Sequence, residues 1–286
     1  MSLKSIEHMT SLSLDVDSFF CDMFGTIWDG YQFYETVSSV FKALKKSGKN
    51  IYILSNATAL STVFFKKTKM FGLEKGRDYD DFITSGDALK HLLGQGYFEK
   101  IANRKEFKFY VIGRPNPLLF SNISDKQTTD LKQAHLIYIS GLDIDDQPPF
   151  TLDRFIPQAE QALQLKLPVV CANPDYIAYH GTDKYLTGGS LAKWYQDRGG
   201  IVHWVGKPYP YIFEYAFSRT KTSPEKAVMI GDTLRTDIAG GYHAGMKTVL
   251  LTKTGVTAEE LQQTKSLEAL CFKENVCPDF IMDSFK

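Results

Sequence analysis

No run in this sequence approaches the roughly 18 consecutive apolar residues needed to cross a bilayer, and residues 1–17 lack the apolar centre of a secretion signal. A membrane partner is therefore not expected. An excess of either charge is also missing: 33 Lys and Arg face 33 Asp and Glu, so the formal net charge is zero. A protein that neutralises a phosphate backbone needs a basic face, which argues against nucleic acid and leaves room only for a small local basic pocket. Cysteine is scarce. Cys21, Cys171, Cys271 and Cys277 have no metal-ligand spacing, which disfavours a zinc site, and scattered free thiols in a reducing, cytoplasmic setting fit better than a disulfide framework. Internal repeats and low-complexity segments are lacking too. What remains is ordinary globular material: 43% hydrophobic and 23% charged residues over 286 positions, enough for a sizeable core in one large or two ordinary domains.

One stretch organises the rest. Phe19-Phe20-Cys21 is a short apolar run that ends in Asp22, followed by Met23-Phe24-Gly25-Thr26 and by Trp28-Asp29-Gly30-Tyr31. Asp-Gly supplies the positive φ angles of a tight hairpin turn, so a hairpin is expected on Asp29-Gly30. A carboxylate delivered by a buried strand to the edge of a sheet is where open α/β proteins place their chemistry.

The first hundred residues alternate strand and helix. Strands are expected at Ser18–Cys21, Ile51–Leu54 and Phe82–Thr84, with helices at Tyr34–Lys46, Leu60–Met70 and Ser85–Leu93. That alternation is the signature of a parallel sheet. The texture then changes to a loop-rich section holding Arg114-Pro115-Asn116-Pro117, strands at Phe107–Ile112, Leu136–Ile139 and Pro168–Cys171, and an acidic, proline-bearing connection at Asp143–Phe150. Residues 103–189 are expected to form an inserted α+β unit, with 1–102 and 190–286 making a discontinuous core. After Gly188-Gly189 the alternation resumes, with strands at Ile201–Val205, Ala227–Ile230 and Lys247–Leu251. The fold class is thus α/β, a Rossmann-like parallel sheet carrying an inserted α+β unit.

The strand ends are informative when aligned. Phe19–Cys21 ends at Asp22, Ile51–Leu54 at Ser55-Asn56, Val202–Gly206 at Lys207-Pro208, and Ala227–Gly231 at Asp232 with Asp237 nearby. In one parallel sheet these ends share an edge, so two to three carboxylates, a hydroxyl and a lysine converge. Paired carboxylates suit Mg2+, a small hard cation that takes oxygen ligands and keeps waters. A lysine and a hydroxyl beside them suit a phosphoryl group.

These four segments resemble the four sequence motifs of the haloacid dehalogenase (HAD) superfamily, in order: Asp22 to Thr26, Ile53 to Asn56, Gly206 to Pro208, and Gly231 to Ile238. Val169 to Asp175, ending in Asn-Pro-Asp, resembles the cap segment of the class IIA branch, which includes NagD-like, p-nitrophenyl phosphatase and pyridoxal phosphatase proteins. The resemblance covers nearly the whole chain and implies a phosphatase acting on a small phosphorylated metabolite, such as a sugar, aryl or cofactor phosphate, through an inserted C2-type cap. It implies Asp22 as nucleophile and Lys207 as charge-offsetting catalytic residue. Ser55 and Asn56 would bind phosphate, with Asp175 and His180 as further substrate contacts. Mg2+ would be held by Asp22, the Phe24 backbone carbonyl and Asp232, with Asp237 orienting the metal shell. Caps of this branch often form dimers, so a homodimer is among the partners implied.

The chain departs from the pattern at Phe24, where the family's hydrolases carry a second aspartate that protonates the leaving group. General acid–base assistance is worth ~10²–10⁴ in rate, and a phenyl ring offers none. Three outcomes are open: hydrolysis restricted to good leaving groups; a substitute acid/base from Asp29, Asp175 or His180; or binding of a phosphorylated ligand without turnover.

Overall fold

The computed structural model describes residues 3–12, 15–143, 150–180, 183–264 and 266–286, with only the backbone of His180. Its strands are β1 (Lys4–Ser5), β2 (Ser18–Cys21), β3 (Asn50–Ser55), β4 (Asp81–Thr84), β5 (Phe109–Ile112), β6 (Leu136–Ile139) and β7 (Val169–Cys171). They continue as β8 (Ile177–His180), β9 (Asp183–Leu186), β10 (Val202–Trp204), β11 (Ala227–Gly231), β12 (Lys247–Leu251) and β13 (Phe280–Met282). A seven-stranded parallel sheet has the order β1-β13-β12-β11-β2-β3-β4. Its central strands read as continuous apolar runs because both faces are covered: Phe19, Phe20, Cys21, Ile51, Ile53, Val228, Met229 and Ile230 are all fully buried.

Strand order reverses between β2 and β11. From β2 the chain builds outward through β3 to β4, and from β11 it builds the other way through β12 to β13. The crossover helices therefore part at that point, opening a crevice at the carboxyl ends of β2 and β11. The register sets its residues: Cys21 lies opposite both Ile53 and Ile230, so Asp22 and Asp232 emerge side by side.

A second parallel sheet has the order β10-β7-β6-β5, and β8 and β9 form a separate antiparallel hairpin. This corrects one expectation. The strand at Val202–Trp204, assigned from the sequence to the large sheet, pairs with Val169–Cys171 in the second. The helix Gly188–Asp197 also packs Leu191, Ala192 and Tyr195 against that sheet. A three-residue apolar strand fits either sheet equally well, and its sequence does not name its partner. The two sheets are not loosely joined: Phe20, Leu54 and Ile83 share one apolar cluster with Phe109, Tyr138 and Val170.

The turn at Asp29-Gly30 is also longer than expected. The Asp29 amide donates to the Gln32 carbonyl at 3.1 Å, Gly30 takes φ +106°, and Trp28 bridges Phe33. The Asp29 carboxylate accepts from the Tyr31 and Gln32 amides, both at 2.8 Å, the self-bonding that favours Asp in turns. The hairpin β8–β9 and the helices Tyr97–Ala102, Gly255–Thr264 and Leu267–Glu274 were not anticipated. Residues 144–149 of the acidic connection lie outside the described part. No helix among the described residues is long and apolar enough to cross a membrane.

One ion network holds the helix Pro210–Thr220, which follows Lys207, to the sheet edge. Asp81 accepts from Arg219 Nε at 2.6 Å and from Lys75 Nζ at 2.5 Å. Burial pushes the Asp81 carboxyl up, but these two cations outweigh it and hold it below the usual carboxylate range. A folded-state pKa below the unfolded one adds stability above the unfolded value, and that stability is lost as pH falls. Asp81→Asn is therefore expected to cost about 1 kcal/mol near neutrality, with the difference from wild type vanishing in acid. Urea titrations at several pH values check it; a difference independent of pH contradicts the ionic origin.

Candidate active site

Asp22 follows β2, and its amide donates to the Ile230 carbonyl at 2.8 Å, carrying the strand pairing one residue further into the crevice. Ser55 ends β3, Asn56 follows it, and Asp232 follows β11. These side chains are buried.

Lys207 reaches the same place from the second sheet, three residues past the end of β10, after Val205 and Gly206. Asn56 receives it: its Oδ1 accepts from the Lys207 amide at 2.7 Å, and its Nδ2 donates to the Lys207 carbonyl at 3.1 Å and to Asp175 Oδ1 at 3.0 Å. Only glycine fits before the lysine, since a Cβ on Gly206 would sit 2.6 Å from Asn56 Oδ1 and 2.5 Å from Pro174 Cδ. The Lys207 ammonium, 1% exposed, spends all three protons, on Asp22 Oδ1 at 2.5 Å, Asp237 Oδ1 at 2.7 Å and the Leu54 carbonyl at 2.8 Å.

Asp237 sits in a π-type turn, Leu234–Ile238, that opens the next helix, and its Oδ2 accepts from the Thr233 amide at 3.2 Å. It thus caps the turn and binds Lys207 together. Asp232 is held by Thr26 Oγ1 at 3.3 Å and by the Val256 amide at 2.6 Å. Gly255, with φ +60°, allows that approach; a Cβ there would fall 1.8 Å from Asp232 Oδ2.

Three carboxylates around one ammonium leave the cluster under-neutralised. Burial is the main cause that raises Asp22, to about 7, against the downward pull of Lys207 and with Asp237 adding to the rise. Asp232 is raised well above the carboxylate range by burial and then by Asp237 and Asp22. Burial pulls the Lys207 ammonium down, but Asp22, Asp237 and Asp175 together hold it above an ordinary lysine. Asp175 is raised by burial, partly offset by Lys207 and Arg235. A cavity of about 720 Å³ opens over the cluster, lined among others by Asp22, Phe24, Ser55, Asp175, Asp232 and Asp237.

Two family models match the segments that supply all of these groups except Asp175. Residues 19–119 match a haloacid dehalogenase-like hydrolase and residues 204–286 a HAD-hydrolase-like family. The chain belongs to the haloacid dehalogenase-like hydrolases. NagD from Escherichia coli K-12 is similar in structure, with TM-score 0.62 and 19% identity over 94% of this chain and 96% of that one. A haloacid dehalogenase-like hydrolase from Brucella suis 1330 superposes with TM-score 0.82 at 20% identity, covering 98% and 100% of the two chains. At such identities the likeness speaks to the fold. In sequence, glycerol-3-phosphate phosphatase of Mus musculus is 24% identical over 98% of this chain and 92% of its own.

Of the residues that the HAD resemblance singled out, Asp22, Ser55, Asn56, Asp175, Lys207, Asp232 and Asp237 meet at this crevice, and Phe24 lines it. Asn56 acts through its side chain, on the Lys207 loop. Asp29 is committed to its turn. The His180 backbone pairs with Asp183 in the hairpin, and its side chain lies outside the described part. Sequence reasoning missed the Val256 amide and Thr26, the supports of Asp232. The only signal for Val256 was a glycine a few residues past the end of a buried strand on the same sheet edge.

The carboxylates of Asp22, Asp232 and Asp237 each place an oxygen within 4.8 Å of the others. An all-oxygen, buried, net-negative cluster fits the hard divalent cation that HAD hydrolases generally use.

Proposed function

We propose that this chain is a Mg2+-dependent phosphatase of small phosphate monoesters that works through an aspartyl phosphate on Asp22. The observation that carries the proposal is the buried Asp22–Lys207–Asp237 arrangement with Asp232 beside it at the sheet's reversal point. The phosphatases among its relatives support the ester class. The inserted unit, 103–189 with pairing continued through Trp204, serves as the cap that closes the cleft and carries specificity.

Asp22 and Asp232, with the Phe24 carbonyl, would hold Mg2+, and Asp237 would orient its shell. Bound there, the cation supplies charge neutralisation for the phosphoryl oxygens. The Asp22 oxygen that Lys207 leaves free attacks phosphorus, and the bond to the leaving oxygen breaks. Ser55 lines the cavity, and its hydroxyl, which accepts from the Ala57 amide at 3.2 Å, keeps its own proton to donate to the transferring phosphoryl group. Lys207 holds Asp22 in place and offsets the negative charge that gathers there. Water then attacks the aspartyl phosphate, releasing inorganic phosphate and restoring Asp22.

The leaving oxygen needs a proton, and Phe24 has none. Asp175 is the carboxyl best suited to the task. It lines the cavity with Asp22, its Oδ1 is fixed by Asn56, and burial keeps it protonated more readily than an ordinary aspartate. Turnover of a panel of aryl and alkyl phosphates, with and without Mg2+, tests the proposal. Metal-dependent hydrolysis is expected, fastest on aryl esters, and Phe24→Asp should raise alkyl-ester turnover by about tenfold or more, within the general-acid range. The second reading, a phospho-ligand binder that does not hydrolyse, is favoured by Phe24 itself; silence on the whole panel with phosphate esters still bound would select it.

A further inference from the structure

Among the cations that line the cavity, none of which the reaction above uses, one differs from the rest. Lys67 lies on the helix Ser61–Met70, lines the cavity, and holds its Nζ 4.5 Å from the centre of the Trp28 ring. Trp28 belongs to the loop after Asp22 and bridges Phe24, so Lys67 is anchored to the wall that carries the phenyl ring in place of the acid. That wall is apolar, with Phe24 and Phe64 also facing the cavity.

The other cations of the lining have protein partners. Arg114 pairs with Asp143 at 2.6 Å, Lys273 lies 3.2 Å from Glu274, and Arg235 donates to the Pro174 carbonyl while stacking on Tyr176. Lys67 is half-buried, and among the described residues its ammonium meets the Trp28 ring rather than a carboxylate. The π face of an indole returns only part of the hydration an ammonium loses. Burial accordingly pulls the Lys67 ammonium below the usual lysine value.

The geometry points to Lys67 as the subsite for a second anionic group on the substrate, a carboxylate on the carbon skeleton of the phosphate monoester. This rests on the phosphatase proposal for the site but makes a separate claim about what the cleft selects. A carboxylate arriving there gains a charge-assisted hydrogen bond in a partly dry setting, which is the stronger kind. Selectivity would thus come from the core domain that carries the nucleophile, and not from the cap alone.

The test is a matched pair of esters differing at the far end, 3-phosphoglycerate and glycerol 3-phosphate. Wild type is expected to show kcat/KM about tenfold or more higher for the carboxylate ester, as one charge-assisted hydrogen bond allows. Lys67→Met keeps the aliphatic stem on Trp28 and should collapse that ratio through KM, and Lys67→Arg should restore much of it. Equal losses on both esters, or no wild-type preference, overturn the subsite. If neither ester is hydrolysed, calorimetric binding of the same pair decides. A Lys67-dependent preference in affinity upholds the subsite while the phosphatase proposal falls; equal affinities, or no binding of either, overturn it.

Discussion

Asp22→Asn is expected to lower phosphate-ester turnover by about 10⁴-fold or more, the scale on which loss of a nucleophile acts. The substitution keeps the side chain's shape, and its amide oxygen can still accept from Lys207. What it removes is the anionic attacking oxygen and one buried negative charge. The carboxyl of Asp22 stands at about 7 because burial and Asp237 outweigh the pull of Lys207, so deleting its charge should not unfold the protein. The metal-free variant should melt at or above the wild-type temperature while being catalytically dead. Thermal melts beside steady-state kinetics separate the two effects; lost activity accompanied by lost folding would leave the residue merely structural and contradict the assignment.

Lys207→Met should act in the opposite sense, on stability first. The ammonium is the shared partner of Asp22, Asp237 and the Leu54 carbonyl, and a thioether answers none of them. Removing one partner of a buried ion pair typically costs ~3–5 kcal/mol, because the remaining charges stay buried without compensation. The sign of the pH dependence follows. Without Lys207 the carboxyls bind protons in the folded state at pH values where the unfolded chain has released them. Stability of the variant therefore falls as pH rises through that window. The gap from wild type should be wider at about pH 8 than at about pH 5. Denaturant titrations at both values measure it; a gap that stays constant or narrows with rising pH would show that the carboxylates are not what Lys207 balances.

How much of this was legible beforehand follows from burial. β2, β3, β11 and β12 are covered on both faces, so each appears as a short unbroken apolar run, and the residue after each run marks the sheet edge. Asp22, Ser55 and Asp232 were found that way. Lys207 was placed at the right site by the wrong route. β10 belongs to the second sheet, and the lysine arrives through Gly206 and the side-chain clamp of Asn56. Strand pairing is a long-range choice that a three-residue apolar run does not encode. The hairpin β8–β9 was missed because Ile177 to His180 and Asp183 to Leu186 mix polar and aromatic residues without clean alternation. The Val256 amide that holds Asp232 has no side-chain signature at all, since every residue except proline carries the same donor. Lys67 went unnoticed because one lysine of several on a helix surface looks solvated until the cavity beside it is known.

The central claim is that Asp22 receives the phosphoryl group. The most direct measurement mixes the protein with 4-nitrophenyl phosphate and Mg2+, quenches in acid within one turnover, and maps the peptides by mass spectrometry. A phosphoryl adduct on the peptide containing Asp22, absent from Asp22→Asn and absent without Mg2+, is the predicted result. Release of 4-nitrophenol in a burst with no adduct on that peptide, or an adduct at another residue, would contradict it.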